Sequence, residues 1–118
     1  MKKEAITITV PEIPPSNNKY IGRDARWAYQ QEKQRWEWLI RSAIKKPPVA
    51  IERAVVKITY FFPDRRRRDP DNYSGKMIMD GLVRCDVLVD DSFDHVNLLL
   101  SGGYDKNNPR VEIEITEI

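Results

Sequence analysis

The sequence contains a single cysteine, Cys85, and a single histidine, His95. One cysteine cannot form an intramolecular disulfide, and its presence is typical of proteins in a reducing compartment. No cluster of Cys and His side chains is present, so a zinc site is not expected. A lone histidine beside a predicted strand is more often structural than catalytic, and His-dependent catalysis is therefore poorly supported.

Long apolar segments are also absent. No run approaches the roughly 20 residues that cross a bilayer, and the N-terminus lacks the pattern of a signal peptide. We therefore expect a cytoplasmic protein. The chain of 118 residues is long enough for one compact core and too short for two. This length predicts one domain over residues 1–118.

Charge is nearly balanced in total but unevenly distributed. The formal net charge is +2, yet residues 1–68 carry 16 Lys and Arg against 7 Asp and Glu, whereas residues 69–118 carry 4 against 11. The sign changes between Arg68 and Asp69. Such asymmetry suggests a basic surface for phosphates beside an acidic site.

Hydrophobic periodicity predicts an α+β fold in the order β-α-β-α-β-β, with two main helices against a mixed sheet. The first helix is predicted from an N-cap at Asp24 to about Lys46, before two prolines. Its apolar stripe leaves Trp38 on another side, where the ring would meet solvent or a second interface. The predicted strands cover residues 6–10, a central strand within 49–63 that is covered on both faces, 95–100 and 111–115; the second helix covers 73–84, and a turn covers 101–109.

The most informative stretch is residues 65–76. Four arginines, Arg65, Arg66, Arg67 and Arg68, directly precede Asp69 and Asp71, and a second acidic pair follows at Asp90 and Asp91. In extended backbone, residues i and i+2 point to the same side, and Pro70 disfavours helical geometry at Asp69. Paired carboxylates suit Mg²⁺, which takes oxygen ligands, and the arginines suit a polyanion. The combination predicts a small magnesium-dependent nuclease that acts on DNA.

Each of these residues also has a structural interpretation. Asp71 or Asn72 can be the N-cap of the following helix, and Asp69 can be a turn residue paired with an arginine. Lys76 and Asp80 stand four residues apart on one helix face, so they can form a weak surface ion pair. The early loop with Asn17, Asn18 and Lys19 is either a connecting turn or a contact to the sugar-phosphate backbone.

In the order and spacing of these motifs the chain resembles the RusA family of Holliday-junction resolvases of bacteria and their phages. The resemblance runs nearly end to end, through the following segments: Pro14-Pro15-Ser16-Asn17-Asn18, Pro63-Asp64 with the arginine run, Asp69-x-Asp71-Asn72, Lys76-x-x-x-Asp80-x-Leu82, Asp90-Asp91 and the alternating acidic strand at the C-terminus. One departure is Gly75, which lengthens the interval from Asp71 to Lys76 by one residue. We place this insertion in the loop before the helix.

The resemblance implies catalytic roles for Asp69, Asp71, Asp91 and Lys76. The three carboxylates, with Asp90 as the second acid of its pair, would hold one or two Mg²⁺, for which Mn²⁺ could substitute. It further implies a homodimer that makes paired incisions in a four-way DNA junction during recombination and repair. A two-fold dimer would match the near-two-fold symmetry of such a junction.

Lys76 would stabilise the charge that develops at the scissile phosphate or position the attacking water. The arginine run would bind flanking phosphates, and the following residues are further candidates for contact with DNA: Asn17, Asn18, Lys19 and Asn72.

Two other functions fit parts of the pattern. A non-catalytic nucleic-acid-binding module would use the same arginines, with the aspartates in structural roles. An Asp-x-Asp pair also binds metal-nucleotides in sugar transfer, but this chain lacks a Gly-rich phosphate loop and has little room for a second substrate.

Overall fold

The computed structural model describes residues 5–20, 22, 25–45 and 49–118. The predicted order of strands and helices is confirmed. The elements are β1 (Ala5–Val10), α1 (Ala25–Ala43), β2 (Ala54–Phe62), α2 (Lys76–Arg84), β3 (Val96–Tyr104) and β4 (Arg110–Glu117), with short 3₁₀ turns at Asn17–Tyr20 and Pro70–Asn72. In the described part of the chain no helix is long and apolar enough to span a membrane.

The four strands form one mixed sheet in the order β1-β4-β2-β3. β4 runs antiparallel to both β1 and β2, so the predicted alternating strand at the C-terminus lies inside the sheet. β2 and β3 are parallel, with Ala54 opposite Val96 and Phe62 opposite Tyr104. Parallel neighbours need a crossover connection, and α2 with its flanking loops provides it. β1 and β3 are the two edges.

Both helices pack on one face of the sheet. Trp36 and Ile40 of α1 and Ile78 and Leu82 of α2 are fully buried there, against inward side chains of all four strands. Burial of each such side chain stabilises the fold by roughly 1.5–3 kcal/mol. Gly81 allows the helices to approach closely, because a Cβ at this position would lie 2.6 Å from Cδ1 of Ile40.

The prediction that β2 is covered on both faces is wrong for the single chain. Residues facing the helices are buried, but on the other face Lys57 is exposed and Val55, Thr59 and Phe61 are half-buried. The sequence of an apolar strand does not reveal whether its second face is covered by another layer of structure or only by long side chains of neighbouring strands. Here the guanidinium of Arg110 lies 4.1 Å from the centre of the Phe61 ring.

β3 continues beyond its predicted end. The segment 101–104, which the sequence assigns to a turn, pairs with residues 59–62 of β2, and the turn begins at Asp105. Gly102 and Gly103 suggested that the strand ends there, but glycine within a strand can instead mark a place where a neighbouring group approaches the backbone closely. A Cβ at Gly103 would lie 2.9 Å from Cδ1 of Phe61, so the glycine leaves room for the neighbouring aromatic ring.

α1 is shorter than predicted at its C-terminus. The predicted N-cap Asp24 and the predicted end at Lys46 lie outside the described residues, but Ala43 is the last helical residue. A proline clashes with the carbonyl four residues before it, and residue 43 stands four before Pro47. The apolar stripe is confirmed, since Trp36 and Ile40 are fully buried.

Candidate functional site

The first acidic pair lies on an exposed loop that follows β2. Asp69 has extended geometry, with φ −103° and ψ 140°, as Pro70 predicts. Asp71 does not continue this extended segment, because Pro70–Asn72 form a 3₁₀ turn closed by hydrogen bonds from the Asn72 and Tyr73 N–H groups to the Asp69 and Pro70 carbonyls. The i, i+2 argument for an extended pair is therefore wrong, although both carboxylates remain accessible to solvent.

Asn17 ties this loop to the early part of the chain. Its Nδ2 donates to the carbonyl oxygen of Asp71 and to Oγ of Ser74, at 3.1 Å in each case. The amide has two hydrogens, so both are used within the protein. Asn17 thus positions the acidic loop, while Asn18 and Lys19 are exposed on the same 3₁₀ turn. Contact of these three residues with DNA stays a prediction.

α2 begins at Lys76, three residues later than predicted. Its N-cap is Gly75 in left-handed geometry, with φ +80°, and no side chain in the described part of the chain caps the helix. Neither Asp71 nor Asn72 therefore caps α2, which removes the main structural interpretation of these residues. A Cβ at Gly75 would lie 2.7 Å from Cδ1 of Ile58, so glycine is required both by backbone geometry and by space.

Lys76 is exposed in the first turn of α2. The predicted surface pair with Asp80 does not form, because Asp80 instead contacts Lys33 of α1, with Nζ and Oδ2 3.4 Å apart. The extra residue at Gly75 lies directly before the helix, as expected. Lys76 is thus available for a ligand at the edge of the acidic loop.

An aromatic cluster that the sequence did not reveal supports the loop. The Tyr73 ring makes edge contacts with Tyr60 and Phe62 at centroid distances of 5.7 and 5.1 Å, and these two rings stack on each other. A shallow cavity beside the cluster is lined in part by Asp69 and Ser101. Burial raises the pKa of Tyr60, whose hydroxyl has no hydrogen-bond partner within the described part of the chain.

Asp64 contacts two of the four arginines in the run, Arg66 and Arg68. It accepts from Nη1 of Arg68 at 2.8 Å and from the backbone N–H and guanidinium of Arg66. The Arg68 hydrogen bond, followed by those from Arg66, holds the pKa of Asp64 well below its usual range. Arg68 is only 16% exposed and covers the Phe62 ring at 4.4 Å, whereas Arg67 is 89% exposed. The run is thus not four equivalent phosphate ligands.

Arg65, Arg66 and Arg67 differ in what they contact. The guanidinium of Arg65 lies 4.5 Å from the Tyr104 ring centre, at the end of β3. Arg66 remains 82% exposed despite its contact with Asp64. Arg67 donates from Nε to Oδ1 of Asp69 at 3.2 Å, which confirms the structural interpretation of Asp69 as a turn residue paired with an arginine. Arg66 and Arg67 are therefore the cations best placed to meet a phosphate beside Asp69.

The second acidic pair lies in the turn before β3. The pKa of Asp90 is lowered by the backbone N–H of Asp91, then by the hydroxyl of Ser92 and by His95. Asp91 is exposed. The imidazole Nδ1 of His95 lies 2.7 Å from the Glu52 carbonyl oxygen, which supports the structural role expected for this histidine.

The two acidic pairs lie at opposite ends of the parallel strands. Asp90 and Asp91 precede Val96, which pairs with the first residue of β2, whereas Asp69 lies near Gly102. Val96 and Gly102 are six residues apart along β3, which corresponds to about 20 Å. Accordingly, no group of three or more His, Cys, Asp or Glu within the described ranges of one chain is arranged to hold a metal ion. The metal site of Asp69, Asp71 and Asp91 stays a prediction.

Sequence comparison gives a family but no curated relative. No curated protein matches the chain. The family model described as endodeoxyribonuclease RusA matches residues 12–116, a span that includes both acidic pairs, the arginine run and Lys76. This match covers nearly the whole chain, and the protein therefore belongs to the RusA family of endodeoxyribonucleases.

Proposed function

We propose that this protein is a Mg²⁺-dependent endodeoxyribonuclease that resolves Holliday junctions by paired incisions in opposed strands, acting as a homodimer in DNA recombination and repair. The observation that carries the proposal is the loop at the end of β2. It holds Asp69 and Asp71 accessible to solvent between the exposed cations Arg67 and Lys76, in a chain of this family. Expected partners are four-way branched DNA and a second copy of the chain, in the cytoplasm of a bacterium.

The donor set of the loop fits Mg²⁺. Asp69 and Asp71 offer carboxylate oxygens, and neither caps α2. Mg²⁺ usually takes one or two protein carboxylates and completes its coordination with waters and phosphate oxygens. When bound, the ion would polarise a phosphoryl oxygen and lower the pKa of a coordinated water. Mn²⁺ also accepts oxygen ligands and is expected to substitute.

The position of Asp91 supports a site shared between two subunits. β3 is an edge strand whose outer edge pairs with no other strand of the described residues, and Leu98 and Leu99 on it are 39% and 53% exposed. Antiparallel pairing of β3 with its counterpart about a two-fold axis would bring the start of one strand beside the end of the other. Asp90 and Asp91 of one subunit would then approach Asp69 and Asp71 of its partner. Such a site would be complete only in the dimer.

The remaining residues have complementary roles in the proposed reaction. Lys76 stabilises the negative charge that develops on the phosphate during attack by water. Arg66 and Arg67 bind the flanking phosphates, which gives affinity that falls with salt and little sequence preference. Arg68 and Asn17 act indirectly, because their hydrogen bonds hold the loop that carries Asp69 and Asp71.

Cleavage of a synthetic four-way junction beside a linear duplex of the same sequence tests this function. In Mg²⁺ we expect symmetric cuts in the junction and little cutting of the duplex. Asp71→Asn should bind the junction but not cut it, and Ca²⁺ should support binding without efficient cutting because its coordination is looser. Metal-independent binding with no nicking at any protein concentration would instead identify a nucleic-acid-binding module.

A further inference from the structure

α1 holds two tryptophans on its solvent side. Trp27 and Trp38 are 71% and 64% exposed, although tryptophan is usually among the more buried residues. They are eleven residues apart, which is about three helical turns, so their side chains project from the same side of the helix about 16.5 Å apart. The fully buried Trp36 and Ile40 lie on the opposite side. Exposed tryptophans aligned in this way are typical of a contact surface.

The residues aligned with these tryptophans share one kind of chemistry. Gln31 and Gln34 are exposed between the two rings, and Arg41 follows one turn after Trp38. We call these five residues the outer ridge of α1. Each can donate hydrogen bonds, and the indole N–H and the guanidinium are donors only. Glu37 stands on the flank of the ridge, and its carboxylate contacts Arg41 at 3.6 Å.

The ridge begins in the part of α1 that lies nearest the proposed site. α1 packs next to the 3₁₀ turn Asn17–Tyr20 through its inner side, where Tyr29 makes an edge contact with Tyr20 at 5.3 Å. Tyr29 is two residues from Trp27, or about 200° around the helix, so the ridge itself faces away from this turn. Asn17 of the same turn donates to the carbonyl of Asp71. From Trp27 to Arg41 the ridge extends about 21 Å. Because phosphates in one strand of duplex DNA are spaced by about 3.4 Å along the axis, this length spans about six of them.

We propose that the outer ridge of α1 binds the sugar-phosphate backbone of a duplex arm of the DNA substrate. A phosphodiester offers only acceptors and negative charge. Every residue of the ridge has a hydrogen-bond donor and none has a carboxylate, although the two glutamine amides also carry an acceptor oxygen. The flat indole faces would pack on deoxyribose while the amides and Arg41 contact phosphates. The substrate in this proposal rests on the proposed function, but contact between the ridge and DNA does not require cleavage.

Charge changes in the middle of the ridge provide the first test. Gln34→Lys should bind a junction more tightly and Gln34→Glu more weakly than the wild type, measured by fluorescence anisotropy in Ca²⁺. The logarithm of the DNA-binding constant changes by about 0.9 per phosphate contact for each tenfold change in salt concentration. The affinity of each variant should therefore differ from that of the wild type by up to about eightfold at 0.1 M salt, and the difference should vanish near 1 M.

Thr7 provides the matched control for this charge pair. It is exposed in β1, and its buried neighbour Ile8 faces the helices, so Thr7 lies on the other face of the sheet. Thr7→Lys and Thr7→Glu should therefore bind DNA alike. Equal affinities of the two Gln34 variants, with both folded by circular dichroism, would overturn the proposal.

Arm length provides the second test. Shortening the junction arms in steps of two base pairs should lower the affinity of the wild type once the arm no longer reaches the ridge. The double variant Trp27→Ala/Trp38→Ala should bind long-armed junctions several-fold more weakly and show no such step. Wild-type affinity in this variant would contradict DNA binding by the ridge and favour an acidic protein partner.

The two proposals fail in different ways. If the wild type does not cut junctions in Mg²⁺ while the Gln34 variants still differ in DNA affinity, the ridge proposal stands and the proposed function fails. If junctions are cut normally and the Gln34 variants bind alike, the ridge proposal alone fails.

Discussion

The two acidic segments of this protein differ in what holds them in place. The loop with Asp69 and Asp71 is fixed by other parts of its own chain, through Asn17, the Asp64–Arg68 ion pair and the Tyr60–Phe62–Tyr73 rings. The turn with Asp90 and Asp91 is held by backbone contacts on either side of it, from the Val89 N–H to the Ile51 carbonyl and from the Ala54 N–H to the His95 carbonyl, and its neighbours Val89 and Phe93 are 50% and 102% exposed. A segment that exposes apolar side chains beside functional carboxylates is suited to contact another molecule. Under the proposed function, the first segment would be complete in one chain and the second would act on a partner subunit.

Subunit complementation is the most direct way to break this comparison. Asp71→Asn and Asp91→Asn should each lose activity by about a hundredfold or more, since even the outer-shell partners of metal ligands contribute 10–100-fold. If each site is shared, a mixed dimer has one site with both substitutions and a second site with neither, because the second site takes Asp71 from the Asp91→Asn subunit and Asp91 from the Asp71→Asn subunit. Mixing the two inactive proteins should therefore restore nicking of one strand.

The same mixture distinguishes a shared site from one within a single chain. If each site lay within one chain, every site in the mixture would carry a substitution, and no nicking would return. Asp71→Asn mixed with itself under the same conditions is the control. Supercoiled cruciform plasmid provides the substrate, because nicked and linear products separate on a gel.

The β3 edge offers a second, smaller perturbation. Leu99→Glu places a charge on a side chain that is 53% exposed, so the monomer should keep its fold. If β3 pairs with its counterpart, the dimer should dissociate and junction cleavage should fall at least tenfold, because burial of unpaired charge is costly. Sedimentation velocity and the cleavage assay measure the two effects. A dimer that survives with full activity would exclude this strand as the interface. Thr7→Glu, on the opposite edge strand, is the control.

Gly75→Ala tests how strictly the first segment depends on its own chain. We expect destabilisation by about 1–3 kcal/mol, because φ is +80° and the new Cβ would lie 2.7 Å from Ile58. Displacement of Lys76 should also lower the cleavage rate. Gly22→Ala is the matched control, since φ there is +116° but no atom of residues 5–20, 25–45 or 49–118 lies within 4 Å of the new Cβ. Equal urea midpoints for the two variants would mean that the contact with Ile58 contributes nothing.

The smallest expected effect concerns Asp64. The pKa of Asp64 is lowered in the folded protein, first by the hydrogen bond from Arg68. The ionised carboxylate therefore stabilises the fold at pH values above its unfolded pKa, which is near 4, and this stabilisation is lost as the pH falls through the pKa of the folded state. The urea midpoints of wild type and Asp64→Asn should therefore differ by a constant amount at pH 6–7. The difference should shrink below about pH 4. A difference that grows on acidification would contradict the assigned ion pair.

Much of the fold follows from local sequence patterns. The alternating residues of β1 and β4 and the apolar stripe of α1 are visible in the chain, and the structure confirms the elements they predict. The sequence was less informative at α2, whose start depends on the left-handed geometry of Gly75. It was also less informative at residues 101–104, where a strand exists because β2 provides hydrogen-bonding partners.

Residue roles within the site show the same division. The sequence identified Arg65–Arg68 as one cationic run, but it could not separate Arg68, which covers Phe62, from Arg67, which is largely exposed beside Asp69. It noted Trp38 as a side chain off the apolar stripe but missed that Trp27 lies on the same side of α1. The spacing of eleven residues between Trp27 and Trp38 is enough to place both on one side of a helix, so this alignment could have been predicted from the sequence.

The sequence by itself determined the elements, the family pattern and the types of side chain at the site, because periodicity, proline geometry and charge act between near neighbours in the chain. The tertiary structure alone decided where the two acidic pairs lie. Parallel pairing of β2 with β3 puts the start of β3 and the loop after β2 at opposite ends of the sheet, and strand direction is a non-local property that no short segment encodes.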